Sequence, residues 1–239
     1  MTRIPLIVLV VLGLMLAGLA EAASPKKRTR NMNRIGPYGA AFVGMTTYSG
    51  DQTDNEQELE DILSDNDFLF QNVRSSTDDS DFGYSATFGY RFSRFLSGEL
   101  GLVQYGELTS SAEGDLDFPG DNAGFLPAHV QLAFNVGGPL ISVIGILPIK
   151  DKFEFYGRLG YLFASSEREF SSSVDGQRGV TGSAKGDSQE PVYGVGFTWN
   201  INQVYSIRAE YQIITDIGQS DRTGTEDLDS LALGLIVRF

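Results

Sequence analysis

The sequence predicts an all-β chain that closes into an eight-stranded, antiparallel, up-and-down transmembrane β-barrel. Segments of about ten residues alternate between apolar and small or polar side chains, which is typical of strands in such barrels. The connections between these segments alternate between short and long. The chain also contains 28 glycines, 16 phenylalanines and 10 tyrosines, a composition that favours strands and tight turns over helices.

The alternation is clearest towards the C-terminal end of the chain. From Tyr205 to Ile213 the odd-numbered residues are apolar or aromatic, whereas the even-numbered ones include Arg208 and Glu210. Because side chains of a strand point alternately to its two faces, this segment has one apolar and one charged face. We assign eight segments of this kind to strands: residues 37–49, 81–92, 95–107, 128–147, 153–166, 190–200, 204–215 and 228–239.

Two of the eight segments have a weaker pattern. The first has alanine and glycine on both faces. The fourth is interrupted by Gly137-Gly138-Pro139, and proline cannot donate a hydrogen bond to a ladder. The sequence therefore leaves the face assignment of the fourth segment open beyond this point.

The connections differ in length in a regular order. Short turns around Ser93, around Pro148 to Asp151 and around Ile201 to Gln203 join the second to the third, the fourth to the fifth and the sixth to the seventh segment. We expect long polar loops at the other end: residues 50–80, 108–127, 167–189 and 216–227. This layout is that of outer-membrane barrels, in which the long loops face the outside of the cell.

The location of the charged face separates two kinds of barrel. A soluble barrel such as a lipocalin places its aromatic face inside, whereas a membrane barrel places it outside. Here the aromatic faces run along most of each strand, and the opposite faces mix glycine with a few charges of both signs. Because small residues make room for arginine and glutamate to pair in a narrow lumen, we favour the membrane barrel. A soluble lipocalin-like binder is the alternative.

Strand parity predicts a network of charged side chains inside the barrel. The predicted lumen residues are Arg91, Glu99, Glu154, Arg158, Arg208, Glu210 and Arg238. An eight-stranded barrel is just wide enough to be filled by side chains, and charges away from water must pair. We interpret the set as a network that fills and stiffens the barrel. A narrow gated channel for ions or small solutes, in which these pairs exchange partners, is the alternative.

The N-terminal residues have the pattern of an export signal. Arg3 is followed by an apolar run from Ile4 to Ala20 and by the small-x-small site Ala20-Glu21-Ala22. A retained membrane anchor is the alternative, although an anchor is usually longer. We therefore divide the chain into a signal peptide (1–22), a basic N-terminal arm (23–35) and a barrel domain (36–239).

Charge and cysteine content exclude several classes of function. The formal net charge is −13, which opposes binding to nucleic-acid phosphates. The chain has no cysteine, so it has no disulfide framework, thiolate zinc site or cysteine nucleophile. Acidic residues are dense between Asp51 and Asp81 but lack the spacing of a calcium-binding loop. We expect no cofactor and no metal site there, with weak binding of divalent cations as the alternative.

An enzymatic role has little support from the sequence. Some small outer-membrane barrels hydrolyse or transfer lipid acyl chains, and such chemistry needs a histidine beside a serine and an acid. The only histidine is His129, and its neighbours at two-residue spacing are Pro127 and Gln131. We therefore expect that the protein is not an enzyme, and an outer-membrane lipid-modifying enzyme is the more distant alternative.

Several segments resemble a known family. Residues 145–153 with 156–161, and residues 81–84 with 89–92, resemble the turn-and-strand segments of the OmpA-like outer-membrane β-barrel domain. The terminal Phe239 resembles the signal that the barrel assembly machinery recognises on a last strand. We expect no peptidoglycan-binding domain, because the chain ends with the barrel.

The resemblance implies a location and a general role. The location is the outer membrane of a Gram-negative cell, with the N-terminus and short turns in the periplasm and the long loops outside. The partners that it implies are outer-membrane lipids, lipopolysaccharide and, through the C-terminal strand, the barrel assembly machinery. We expect a structural or surface-interaction protein.

Overall fold

The structure is a computed structural model. It describes residues 35–49, 69–78, 80–117, 125–150, 152–175, 177–219 and 224–239. The predicted signal peptide, all of the basic arm except Ile35, and most of the acidic first loop lie outside these residues. In the described part of the chain, no helix is long and apolar enough to cross a membrane.

The described residues form nine strands. Their bounds are β1 Gly36–Ser49, β2 Leu69–Asp78, β3 Ser80–Arg91, β4 Leu96–Asp117, β5 Leu126–Lys150, β6 Phe153–Val174, β7 Gln177–Asn200, β8 Tyr205–Gln219 and β9 Gly224–Arg238. All pairings between them are antiparallel.

Eight of these strands close into a ring. Neighbours in the sequence pair with each other from β3 to β9, and β1 joins both ends by pairing with β3 and with β9. β2 lies outside the ring, because it pairs only with residues 109–117 of β4, whereas β3 pairs with residues 97–104 of the same strand. The predicted eight-stranded up-and-down barrel is therefore confirmed, and β2 is an extension of it.

Short turns close one end of the barrel. After β3, the backbone N–H groups of Phe92 and Ser93 both donate to the carbonyl of Leu96. After β7, the side-chain oxygen of Asn202 accepts the N–H groups of Val204 and Tyr205, both at 2.8 Å. Such local bonds from an asparagine side chain stabilise tight turns. The three short connections lie where the sequence predicts them.

The prediction of four long loops at the other end is wrong in its extent. The structure places strand residues in each of the predicted loops: β2 in 50–80, the end of β4 in 108–127, a β6–β7 hairpin in 167–189 and the β8–β9 tip in 216–227. β5, β6 and β7 contain 25, 22 and 24 residues, whereas a strand needs only about 9–11 residues to cross a bilayer.

These strand residues were predicted as loops because each long strand has two parts that differ in their side-chain pattern. On β6, exposed large apolar side chains extend from Phe153 to Phe163. Together with the exposed apolar side chains of the neighbouring strands they form a band around the barrel, which we call the belt. Beyond the belt, β6 and β7 have mostly polar residues on both faces, so their pairing proceeds without the alternation that identifies a strand in the sequence.

We call this extension the crown and define it as residues 69–78, 107–117, 126–136, 164–174 and 177–191. It is a five-stranded sheet in the order β2, β4, β5, β6 and β7. In the described part of the chain, neither β2 nor residues 177–191 of β7 has a ladder partner along its second edge.

The interruption in β5 does not change which way its side chains point. Phe134 and Val136 lie inside the barrel before it, and Leu140 and Ser142 lie inside after it. The register with β6 is the same on both sides of the interruption, where Gly138 and Pro139 have no β6 partner. A Cβ atom at Gly138 would overlap the carbonyl oxygen of Phe163, so this position requires glycine.

Two bulges do change the parity of their strands. The register of β4 against β5 shifts between Gln104 and Glu107, so that both Tyr105 and Leu108 point inward. The register of β8 against β9 shifts between Ile214 and Ile217, and both isoleucines are fully buried. A bulge inserts one extra residue into a strand, which reverses the face of every later side chain.

Candidate functional site in the barrel lumen

The two faces of the barrel wall differ sharply in chemistry. Along β6, Phe155 is 52% exposed and Leu159 is 65% exposed, whereas the residues of opposite parity, Glu154, Tyr156 and Arg158, are at most 5% exposed. The other strands of the belt repeat this arrangement. The outer face is therefore apolar and the inner face carries the charges, which is the arrangement of a membrane barrel.

Glu99 lies at the centre of the lumen and is bound by two arginines. Its Oε2 is 2.8 Å from Nη2 of Arg158, and its Oε1 is 2.6 Å from Nη1 of Arg208. The hydroxyl of Tyr38 donates a third bond to Oε1 at 2.6 Å. These contacts leave Glu99 with a partner for each oxygen, which a buried carboxylate requires.

Glu210 completes this central layer. Its Oε1 is 2.8 Å from Nε of Arg158, and its Oε2 accepts bonds from Nη2 of Arg158 at 3.0 Å and from the hydroxyl of Tyr156. The amide of Gln212 also donates to Glu210, and Tyr105 donates to Gln212. Two glutamates and two arginines therefore neutralise each other across the bore.

A second charged layer lies nearer the short turns. Nη1 of Arg91 is 3.0 Å from Oε1 of Glu154, and the other nitrogens of Arg91 donate to the carbonyls of Ser93 and Arg94 in the adjacent turn. Arg238 donates instead to neutral groups, namely the hydroxyl of Ser206 and the side-chain oxygen of Asn200 at 2.7 Å.

Inward glycines provide room for aromatic rings rather than directly for the charges. The first such pair is Tyr38 opposite Gly89, where a Cβ atom on the glycine would overlap the ring. Gly234 opposite Phe42 and Gly196 opposite Tyr156 repeat the arrangement. An aromatic ring that covers a glycine on the neighbouring strand is a recurrent device in sheets.

These rings position the central arginine. The guanidinium carbon of Arg208 lies 4.7 Å from the ring centre of Tyr156 and 6.0 Å from those of Tyr38 and Phe42. Cations are attracted to aromatic faces at such distances, more strongly when water is excluded. The rings thus hold Arg208 in place while two of their hydroxyls hold Glu99 and Glu210.

An apolar cluster closes the lumen beyond the central layer and continues into the base of the crown, and we call it the plug. It is built from Tyr48, Val103, Tyr105, Leu108, Phe134, Val136, Leu140, Leu162, Ala164, Val192, Ile214, Ile217 and Leu228. The rings of Tyr48 and Phe134 pack edge to face with centres 5.9 Å apart. Sequence reasoning did not identify the plug, and the bulges in β4 and β8 concealed the inward orientation of Leu108 and Ile217.

The remaining space in the lumen is small. A cavity of about 10 Å³ lies between the two charged layers, and one of about 20 Å³ lies between the central layer and the plug. Each is about large enough for a single water molecule. The two cavities share no lining residue.

Sequence reasoning also missed the neutral polar partners of the charged residues. Ser142 accepts a bond from Nη1 of Arg158 at 2.7 Å, and Asn200 and Ser206 hold Arg238. Asn200 and Ser206 have the inward parity of their strands, so parity combined with a search for hydrogen-bonding residues beside the charges could have found them. Ser142 follows the interruption in β5, where the sequence leaves the parity open.

The other candidate residues lie elsewhere. His129 is in the crown, 42% exposed, with Nδ1 3.4 Å from Oε1 of Glu113. No group of three or more acidic or histidine residues among the described ones could hold a metal ion. Phe239 is exposed, and its N–H donates to the carbonyl of Pro37.

A closed antiparallel barrel with an apolar outer belt, a charged interior and short turns at one end defines the class of outer-membrane β-barrel proteins. The sequence comparison is more specific: the OmpA-like transmembrane domain family matches residues 30–239. The chain belongs to this family.

Curated relatives agree with this assignment. Outer membrane protein A of Klebsiella pneumoniae is 30% identical over 173 residues, which are 71% of this chain and 44% of that protein. Outer membrane protein A of Klebsiella aerogenes is 27% identical over 169 residues, which are 70% and 42% of the two chains. This chain thus spans about two fifths of the length of the curated relatives it matches.

Solved structures were also compared with this chain. The attachment invasion locus protein Ail of Yersinia pestis is 16% identical, with a TM-score of 0.42, and covers 86% of this chain and 100% of its own. OprG of Pseudomonas aeruginosa is 15% identical, with a TM-score of 0.41, and covers 87% and 98%.

Proposed function

We propose that this protein is a closed outer-membrane anchor that presents its crown outside the cell for surface contacts. The observation that carries the proposal is the division of the barrel into a blocked lumen and a projecting sheet. The belt holds the chain in the membrane, and the crown is the part available to partners.

The blocked lumen supports an anchor over a channel. An ion that crosses the barrel has to pass two charged layers and then the plug, whose members Leu162, Val192, Ile214 and Leu228 are fully buried. If Glu99 exchanged its ion-pair partners, only the central layer would open. The plug would stay closed, because it contains no charged residue that could respond to the exchange.

The outer edges of the crown support a role in contact with other molecules. Residues 177–191 of β7 have no strand partner among the described residues on the side away from β6, and they project beyond the belt. Such an edge is a template for an added strand, which natural proteins either protect or use for binding. The crown has more acidic than basic residues, so we expect contact with lipopolysaccharide phosphates to require divalent cations.

We further propose that the protein has no enzymatic role. His129 lies between Glu113 on β4, whose Oε1 is 3.4 Å from its Nδ1, and Ser173 on β6, and no hydrogen bond joins the Ser173 hydroxyl to this histidine in the described part of the chain. Nucleophilic catalysis of the serine type needs that hydrogen bond. In this proposal the last strand, with Phe239, has its role during assembly rather than in the folded barrel.

The orientation can be tested because the chain has no cysteine of its own. Lys185→Cys places a thiol on the crown, and Arg94→Cys places a matched exposed thiol in a short turn. A membrane-impermeant maleimide should label intact cells that carry Lys185→Cys, and should label Arg94→Cys only after the outer membrane is opened. The reverse pattern would overturn the proposed orientation.

The closed lumen can be tested by conductance in planar bilayers. We expect the unaltered protein to show no stepwise openings. Leu162→Gly thins the plug and is the matched variant. If the unaltered protein shows openings, and if their conductance changes in Leu162→Gly, the conducting path runs through the lumen. The protein would then be a channel, and the proposed anchor function would be wrong.

A further inference from the structure

The lumen contains an unbalanced number of charges. The buried charged side chains of the described residues are Arg91, Glu99, Glu154, Arg158, Arg208, Glu210 and Arg238. Four are arginines and three are glutamates, so the interior has one excess positive charge. A buried charge without a counter-charge is costly, and it is usually neutralised by a partner or by an ion.

The excess charge belongs to Arg238. Its guanidinium is held by the neutral oxygens of Ser206 and Asn200, and no carboxylate of a described residue lies within 4.0 Å of it. The other three lumen arginines each have a carboxylate oxygen within 3.0 Å. Arg238 is only 6% exposed, so bulk water does not replace the missing partner.

A small cavity adjoins this arginine. Its volume is about 10 Å³, and its lining residues include Arg238, Arg91, Arg208 and Glu154. Three arginines and one glutamate therefore line a space of about one water molecule. Arg208 is one of the lining residues, and its Nε is buried and has no hydrogen-bond acceptor among the described residues.

We propose that this cavity binds a monatomic anion of the size of chloride, held by Arg238 and Arg208. The anion supplies the counter-charge that the side chains of the lumen lack, and it accepts a hydrogen bond from the orphan Nε of Arg208. The small volume excludes polyatomic anions such as sulfate, phosphate and gluconate. The charge of the lining residues and the size of the cavity together determine which anions can bind.

The proposal predicts a specific anion dependence of stability. A ligand that binds only the folded state stabilises it, and well above the dissociation constant each tenfold increase in ligand raises the folding equilibrium constant about tenfold. We expect the full-length barrel in detergent to unfold at lower urea when sodium chloride is replaced by sodium gluconate at equal ionic strength. Equal midpoints in the two salts would overturn the proposal.

Two variants separate this site from a general salt effect. Arg238→Gln removes the excess charge and should abolish the difference between chloride and gluconate. Arg94→Gln removes an exposed arginine from a short turn and should leave the difference unchanged. A chloride dependence that persists in Arg238→Gln would place the anion elsewhere and overturn the assignment.

A second measurement does not depend on whether a variant folds. Crystals of the unaltered protein grown with sodium bromide should show an anomalous-scattering peak in contact with the guanidinium of Arg238. Absence of that peak at saturating bromide would overturn the proposal, whatever the variants show.

Discussion

The lumen and the crown contain ion pairs of nearly the same length in opposite surroundings. Arg158 and Glu99 are 2.8 Å apart with both side chains 1% exposed, whereas Lys185 and Glu167 are 2.9 Å apart with side chains 69% and 38% exposed. Exposed pairs contribute little because water and salt screen them, but removal of one partner from a buried pair leaves an uncompensated charge. The solvent exposure of each ion pair, and not its length, decides how much the pair contributes to the free energy of unfolding.

The largest difference between the two regions should come from Glu99→Gln. This change leaves Arg158 and Arg208 short of a counter-charge, and we expect it to lower the free energy of unfolding by about 3–5 kcal/mol. Urea unfolding in lipid vesicles, followed by the fluorescence of the single Trp199, measures this effect. Glu167→Gln in the crown is the matched control, with an expected loss below about 1 kcal/mol. Equal losses in the two variants would contradict the comparison.

A smaller effect should follow from a cavity in the plug. Leu162→Ala removes a fully buried side chain, and we expect a loss of about 2–5 kcal/mol by the same measurement. Val180→Ala shortens an apolar side chain of the crown that is 68% exposed, and we expect a change within about 0.5 kcal/mol. A negligible loss in Leu162→Ala would mean that the plug is loosely packed.

A glycine under an aromatic ring should tolerate a methyl group less well than a crown glycine. Gly89→Ala forces the ring of Tyr38 away from Glu99, and we expect a loss of about 1–3 kcal/mol from overpacking. Gly182→Ala adds its methyl group to open space on β7 and should be nearly neutral. If both alanine variants unfold at the same urea concentration, the ring does not need the glycine.

The smallest expected effect concerns the exposed ion pair of Lys185 and Glu167 in the crown. Lys185→Ala should lower the free energy of unfolding by less than about 1 kcal/mol at low salt, and the loss should vanish near 1 M salt, where the screening length is about 3 Å. The unfolding midpoint at the two salt concentrations checks this. A loss that persists at high salt would show that Lys185 contributes by packing.

The predicted and observed strands agree best where the membrane imposes a pattern. On β6 the alternation from Phe153 to Tyr161 identifies the strand, its two faces and the lumen positions of Glu154 and Arg158. The same strand continues to Val174, but the sequence predicted a loop from residue 167. Polar residues on both faces remove the period from which a strand is recognised.

The partners of the lumen residues were harder to predict than their positions. Parity places Glu99 and Arg208 inside, but their sequence separation of more than one hundred residues says nothing about contact. Register brings them together, and it also places Tyr38 opposite Gly89, which allows the ring to reach Glu99.

The sequence by itself determined which face meets lipid and which charges enter the lumen for the belt strands with a clear alternation, but not for β5 beyond Gly138. It did so because a strand alternates with period two and a membrane leaves only one face for charge. The tertiary structure alone decided the pairing of those charges, the plug and the crown. These depend on cross-strand register, on bulges at β4 and β8 that reverse parity, and on pairing between strand segments that lack a regular apolar–polar alternation.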